Sequence, residues 1–399
     1  MEISQLEAPD QPFPLATDAC VMLDARYLNG KSSGIGRYTR HLINHLLQLD
    51  SRLRLKLITH PACPRPVENP RVESQTFFAP ANSLSTRYLL TQSIDFSGVD
   101  LFHSPFNILP ADLPVPAVFT LHDIMWLLDP TLCTSKLWKR LVTGTFYRTF
   151  IPRSVRQAAA ILTVSDYSQQ EISDYFPDAH KRVDVAYNGL DPYFRPVSPQ
   201  KGWPLLSKWM VPGTRFVLVV GQGAPYKNHA AALRGFIEAF ADDPEVYCVF
   251  VRRLHKSGDA ELRKLLADRR LNSRVIHLDY IGADELRALY TLAEVFLFPS
   301  LYEGFGLPAL EAMACETAVV TSDRGAPKEI CNGGAMLVDP TDPAAIAAAL
   351  KRLVADDALR LRVAEAGRSR ARHFRWADSA RQALTTYRRI LQYPPPRSS

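Results

Sequence analysis

Residues Val295–Thr317 read VFLFPSLYEGFGLPALEAMACET, and the reading of this stretch decides the fold. Val295 to Phe298 is a short, wholly apolar run, as in a buried strand. Pro299 to Gly306 carries the glycines of a loop. Pro308 has no N–H to lose and a fixed helical φ, so it suits the first turn of a helix that continues through Leu310, Glu311, Met313 and Ala314. The unit is strand, tight loop, helix.

In such a unit the backbone N–H groups of Gly304, Phe305, Gly306 and Leu307 fall at the positive end of the helix, where an anion or sugar oxygens can be held. The glycines let a ligand approach the backbone. Glu303 in the loop and Glu311, about one turn into the helix, flank this pocket and can accept hydrogen bonds from pairs of hydroxyls. Taken alone, the two carboxylates are equally well explained as a solvated loop acid and an acid favoured by the helix dipole.

The same plan recurs outward in both directions. Before Val295, apolar runs at Cys20–Leu23, Leu53–Ile58, Leu101–His103, Val118–Leu121, Ile161–Val164, Val183–Tyr187, Phe216–Val220, Val246–Val251 and Val275–Leu278 read as short buried strands. After it come Ala318–Thr321 and Ala335–Val338. Helical patterns lie between many of them, which argues for parallel sheets in an α/β protein. Asn188–Gly213 holds Pro192, Pro196, Pro199, Pro204 and Pro212, a density that breaks helix and strand, so it reads as an interdomain connection. The domain expectation is therefore 1–195, a linker at 196–213, a second domain at 214–375, and a last helix and tail at 376–399. A chain of 399 residues suits two domains of ordinary size.

Several other segments carry candidate chemistry. The loop Asp24–Gly36 (DARYLNGKSSGIG) precedes a helical pattern at Tyr38, Leu42, Ile43, Leu46 and Leu49, so Gly34 and Gly36 offer a second set of amides beside Arg37. Such loops also serve simply to turn the chain. His103 and His122 stand at strand ends, where ligands gather in open α/β sheets. Lys227 precedes a helix in GQGAPYKNH. Lys136–Arg156 is basic, free of acids and interleaved with Trp138, Phe146, Tyr147 and Phe150. It reads either as a solvated helix with its aromatics packed inward or as a face for an anionic membrane.

The composition is that of a soluble globular protein, 47% hydrophobic and 22% charged, with a formal net charge of +6. That mild excess permits attraction to phosphates without demanding it, and no nucleic-acid module accompanies it. The six cysteines are scattered without C-x-x-C or metal-ligand spacing and read as reduced thiols. The first 18 residues lack a signal-peptide pattern, and no apolar run approaches the roughly 18 residues of a membrane span. A cytoplasmic location, with or without peripheral contact to the membrane face, is the expectation. The tail Pro394–Ser399 is expected to be disordered.

The spacing of Glu303 and Glu311, the order SGIGRY and the placement of Lys227 together resemble the retaining, nucleotide-sugar-dependent glycosyltransferases of family 4, and the resemblance covers most of the chain. It implies the GT-B fold, two Rossmann-like domains facing across a cleft, with the last helix crossing back to the first domain. It also implies roles. Glu311 holds the ribose hydroxyls, Glu303 and the Gly304–Leu307 amides hold the donor sugar and neighbouring phosphate, Lys227 meets the diphosphate, and His122 reaches the transferred sugar. The loop of Gly34 and Gly36 closes on the diphosphate. No cofactor is implied, and a Lys with backbone amides stands in for a metal.

One departure concerns the Arg that the family places just after the glycine or just before the Lys. Gln222 and Tyr226 occupy those positions here, and Arg252, Arg253 or Arg324 could supply the missing donor. The resemblance points to the mannosyltransferase-like branch of lipopolysaccharide O-antigen and exopolysaccharide assembly. The expected partners are a GDP-sugar and a growing glycan acceptor, lipid-linked or free. A UDP-sugar donor and a weakly active nucleotide-sugar-binding partner of another transferase are the alternatives. A two-domain sugar epimerase shares the architecture but not these motifs.

Overall fold

The computed structural model describes residues 18–29, 33–252, 260–271 and 274–392. The leader before residue 18, Arg253 and the tail from Pro394 lie outside the described residues. Two compact units divide the chain. The first takes the residues up to Ile124, Thr145–Gly189 and those from Arg375 onward, and the second takes Met125–Gly144 and Leu190–Phe374.

The first unit is built on β1 (Cys20–Asp24), β2 (Arg54–Thr59), β3 (Val72–Thr76), β4 (Leu101–Ser104), β5 (Ala117–Thr120), β6 (Ala160–Thr163) and β7 (Val183–Val185). They form one parallel sheet in the order β3-β2-β1-β4-β5-β6-β7. Val21, Leu23, Leu55, Leu57, Leu101, Val118 and Leu162 are buried in its core. The helix Gly34–Leu49 lays Leu42, Ile43 and Leu46 on that core, the apolar stripe of an amphipathic helix. The helix Trp376–Gln392 adds Ala380, Ala383, Leu384, Tyr387 and Ile390. It is tied down by Thr386 Oγ1 at 2.7 Å and Arg389 Nη2 at 2.5 Å, both donating to Asp184 on β7.

The sequence reading passes over β3, VESQT, because it is a largely exposed edge strand and shows no apolar run. It forms because β2 offers it a parallel edge from Leu55 to Thr59.

A polar chain runs through the core of this unit. The fully buried ring of His103 on β4 reaches the Tyr387 hydroxyl at 2.5 Å with Nδ1 and Thr120 Oγ1 at 2.9 Å with Nε2. Thr120 in turn meets the Tyr38 hydroxyl at 2.9 Å. Burial lowers the His103 pKa to about 3, so the ring is neutral at pH 7. His103 is thus satisfied within the core, between the sheet and the last helix.

The second unit contains β8 (Arg215–Val220), β9 (Val246–Val251), β10 (Val275–Leu278), β11 (Val295–Phe298), β12 (Ala318–Ser322) and β13 (Met336–Val338). All pairings are parallel, in the order β10-β9-β8-β11-β12-β13. Val217, Val219, Val295, Leu297 and Val320 meet Phe236 and Leu350 in the core. The proline-rich connection is not irregular throughout. Pro199–Leu206 is helical, with Pro199 in its first turn, Gly202 against Leu292 and Leu206 fully buried, so packing overrides the breakers.

This packing yields two predictions. A Cβ on Gly235 would stand 2.5 Å from Ile346 Cγ2, where the helix His229–Ala239 crosses Pro343–Ala355. Gly235→Ala should therefore lower stability by about 1–3 kcal/mol, seen as a lower urea midpoint; an unchanged midpoint would contradict the close approach. His103 has a folded pKa of about 3 against 6.5 in the unfolded chain, so the unfolded chain takes up its proton first on acidification. Its stabilisation is complete above pH 6.5 and is lost as pH falls toward 3. Calorimetry should show the melting temperature falling between about pH 6.5 and 4, and His103→Gln, less stable at neutral pH, should show a shallower fall. Equal slopes would exclude His103 as the source.

Candidate active site

In the second sheet the order reverses between β8 and β11, because the chain after β8 goes to β9 on one side and the chain after β11 goes to β12 on the other. At such a switch point the carboxyl ends of the strands leave a crevice for ligands. The loops that line it are those after β8, through Lys227, and after β11, through Gly306.

Backbone and side-chain bonds fasten these loops together. Leu301 N–H donates to the Tyr226 carbonyl at 2.7 Å. Asn228 adopts a left-handed backbone, φ 55°, which asparagine tolerates, and caps the helix His229–Ala239. Its Nδ2 donates to the carbonyls of Pro340 at 2.6 Å and Pro299 at 3.2 Å.

Between the two loops Lys227 Nζ stands 2.5 Å from Glu303 Oε1. Both side chains are nearly buried, at 8% and 11% exposure. The ammonium also lies 4.6 Å from the ring centroid of Phe298 and 5.0 Å from that of Tyr226, a favourable place for a cation. Removing either partner of such a pair leaves a buried charge at a cost of about 3–5 kcal/mol. Gly221 gives the lysine its room, since a Cβ there would come within 3.2 Å of Lys227 Cδ and of His229 Nε2.

The helix after β11 begins at Leu307, with Pro308 in its first turn and Gly306 at φ +107° as its cap, a backbone that favours glycine. Phe305 turns its ring inward against Phe374, 5.6 Å between centroids, so at the loop it offers backbone only. Gly304 and Leu307 are half-buried and Gln222 is exposed. Glu311 is neither a solvated acid nor a first-turn dipole partner. It is 3% exposed, and its Oε2 accepts from the Tyr290 hydroxyl at 3.0 Å.

Of the arginines weighed for the missing donor, Arg252 directly follows β9, is 4% exposed, and sets Nη1 2.8 Å from His229 Nδ1. Burial, then Arg252, then Lys227 hold His229 well below its usual pKa, so the neutral ring accepts from the guanidinium. Arg324 is half-exposed and paired with Asp339 at 2.7 Å and Asp323 at 3.6 Å. His229 and Tyr290 escaped the sequence reading. The position of His229 two residues beyond Lys227, at a helix start after a switch-point strand, was the signal available.

The remaining candidates belong to the first unit. His122 follows β5 with Nε2 3.0 Å from the Pro105 carbonyl. A carbonyl only accepts, so Nε2 carries the proton and Nδ1 is the acceptor. Burial lowers its pKa to about 4, keeping the ring neutral, and the Tyr38 ring packs edge-on at 5.0 Å. Gly36 has a packing role, since a Cβ would lie 2.9 Å from the Tyr27 carbonyl, and its N–H donates to the Ser33 cap at 3.0 Å. Gly34 opens the helix, and a Cβ there would meet nothing within 4 Å. The six cysteines are free thiols, Cys20, Cys248, Cys315 and Cys331 buried. Among the described residues, no three His, Cys, Asp or Glu side chains gather as metal ligands do, and no helix is long and apolar enough to cross a membrane.

Comparison with known proteins bears on this geometry. The family model described as Glycosyltransferase Family 4 matches residues 32–194, and that described as glycosyl transferases group 1 matches residues 210–370. The O-antigen chain mannosyltransferase B of Escherichia coli is 29% identical over 292 residues, 72% of this chain and 74% of that protein. The serotype-specific mannosyltransferase WbdA of Escherichia coli is 27% identical over 71% of this chain, but the match spans 35% of that longer protein. Sucrose-phosphate synthase from Thermosynechococcus elongatus has the same fold, with a TM-score of 0.73 over 94% of this chain and 99% of its own at 20% identity. With its two Rossmann-like parallel sheets and its family matches in both halves, the chain has the GT-B fold and belongs to the family 4 glycosyltransferases.

Proposed function

We propose that this glycosyltransferase moves mannose or a related hexose from a GDP-sugar to a growing lipopolysaccharide O-antigen or exopolysaccharide glycan, with retention at the anomeric carbon and without a metal. The observation that carries the reading is the Lys227–Glu303 pair at the switch point, with Glu311 in the helix just beyond. The names of the mannosyltransferase relatives support the sugar and the O-antigen setting.

Breaking a nucleotide-sugar bond puts negative charge on the leaving diphosphate and positive charge on the anomeric carbon. The Lys227 ammonium answers the first, together with the amides of Gly304 to Leu307. In the free protein Glu303 neutralises that ammonium; with donor bound, the diphosphate shares it and Glu303 accepts from sugar hydroxyls. Glu311 accepts from the ribose hydroxyls. Neutral His122 accepts a sugar hydroxyl at Nδ1, and the loop of Gly34 and Gly36 covers the diphosphate. The proton of the attacking acceptor hydroxyl passes to an oxygen of the departing phosphate on the same face, which gives retention. A fixed ammonium and helix-end amides supply the charge a metal would otherwise bring, and Arg252 adds a second cation in place of the family's arginine.

A UDP-sugar fits the same contacts. A weakly active nucleotide-sugar-binding partner of another transferase is favoured only by Gln222 and Tyr226 at the arginine positions. Peripheral contact with the cytoplasmic membrane face, beside a lipid-linked acceptor, is supported by the helix Leu137–Gln157. Phe150 is buried in that helix, but Leu137, Trp138, Leu141 and Val142 are 60–66% exposed beside Lys136, Lys139 and Arg140.

Three experiments test these readings. In thermal-shift and calorimetric titrations with GDP, UDP, ADP and their sugars, GDP species should raise the melting temperature equally in magnesium and in EDTA, and Glu311→Ala should abolish the shift. A requirement for magnesium would end the metal-free mechanism, and binding without turnover on any acceptor would favour the partner role. Lys227→Met alone should lose stability as well as activity, whereas Lys227→Met with Glu303→Gln should regain stability while kcat/KM stays about a hundredfold or more below wild type. In flotation with vesicles containing phosphatidylglycerol, Trp138→Ser with Leu141→Ser should lose binding that wild type shows; undiminished binding would place the contact elsewhere.

A further inference from the structure

Within the second unit, the segment from Met125 to Gly144 and the loop after β8 enclose a cleft of about 380 Å³. One wall presents Trp126, Lys136, Trp138 and Lys139, and the other is the uncharged run from Gln222 to Pro225. Among the described residues, no carboxylate lines it. The short helix Pro130–Cys133, held by an Asp129 carboxylate that accepts from Thr131 N–H, packs on the turn Pro225–Lys227 and so fixes the distance between the walls. The indole of Trp138 is 60% exposed, and Lys139 Nζ lies 5.7 Å from its ring centroid.

These features select a kind of ligand. An indole as exposed as that of Trp138 can receive the C–H face of a pyranose, while the sugar's hydroxyls meet polar groups such as those of Thr134, Ser135 and Thr143. Two ammonium groups without an opposing carboxylate favour an anion beside that ring. The wall ends at Pro225, two residues before Lys227, so a ligand in the cleft lies next to the turn that carries the proposed diphosphate contact.

We propose that this cleft receives the acceptor, and that the acceptor is an anionic saccharide whose pyranose rests on an indole while its phosphate or carboxylate meets Lys136 and Lys139. The proposal deepens the transferase reading above and rests on it for the word acceptor.

The test is calorimetric titration of the full chain, with GDP in excess, using methyl α-mannoside, its 6-phosphate and a methyl glucuronide. The charged glycosides should bind about tenfold or more tightly than the neutral one, as for a charge-assisted hydrogen bond. Lys136→Ala with Lys139→Ala, substitutions at the surface that spare the fold, should remove that preference. Trp138→Ala should weaken all three glycosides, and neither variant should change the affinity for GDP. Tighter binding of the phosphate would assign the anion to a sugar phosphate, and tighter binding of the glucuronide to a uronic acid.

Equal affinity for charged and neutral glycosides, or a preference that survives loss of both lysines, would overturn the proposal. If GDP binds and no glycoside does, the cleft proposal falls while the donor reading stands. If glycosides bind through the lysines but no nucleotide binds, the saccharide site stands and the donor reading falls.

Discussion

Two neighbouring parallel strands, β8 and β11, end side by side, and the loops that leave them hold each other in place. The sheet brings the strand ends together but does not dictate the course of the loops. That is set by the Leu301–Tyr226 backbone bond, by Asn228 reaching Pro299 and Pro340, and by the ion pair of Lys227 with Glu303. Because the pair is almost removed from water, neither charge is tolerable without the other. The loop after β11 therefore positions the lysine of the loop after β8, and the lysine positions the glutamate in return.

The charge around that pair is uneven. Lys227 and Arg252 both act on His229, which burial and their fields keep neutral, and Glu303 is the anion in contact with Lys227. The two cations stand on the side of the loop after β8, and the carboxylates of Glu303 and Glu311 on the side of the loop and helix after β11. Both cations are nearly buried and held in place by their partners, Lys227 by Glu303 and Arg252 by His229. Glu311 plays a different part. Its burial against Tyr290 fixes one oxygen and so the direction in which the carboxylate faces.

Much of this was legible in the sequence, for physical reasons that also explain the gaps. Strands buried on both faces, such as Val295–Phe298, are apolar throughout and announce themselves, whereas the edge strand Val72–Thr76 is stabilised by the neighbour it pairs with and looks polar. Proline density marked 188–213 as a break, but Leu206 has a core to enter and its segment folds as a helix. Lys227 and Glu303 were each conspicuous, yet their contact joins residues 76 apart and is a product of strand order. Tyr290 reads as one more core aromatic until its hydroxyl is seen to face Glu311. His103 and His122 both read as histidines at strand ends, but a helix from the far end of the chain covers His103 with Tyr387, and Thr120 takes its other ring nitrogen.

The assignment of Met125–Gly144 to the second unit, though it is flanked on both sides by chain of the first, has a consequence for inheritance. A gene fusion joined near residue 190 would bring a foreign second unit together with a wall of the cleft shaped for the original one. Recombination between relatives is then constrained at two places rather than one. An exchange of the carboxyl-terminal half must be followed by changes near Trp126 and Trp138 before the two pieces fit.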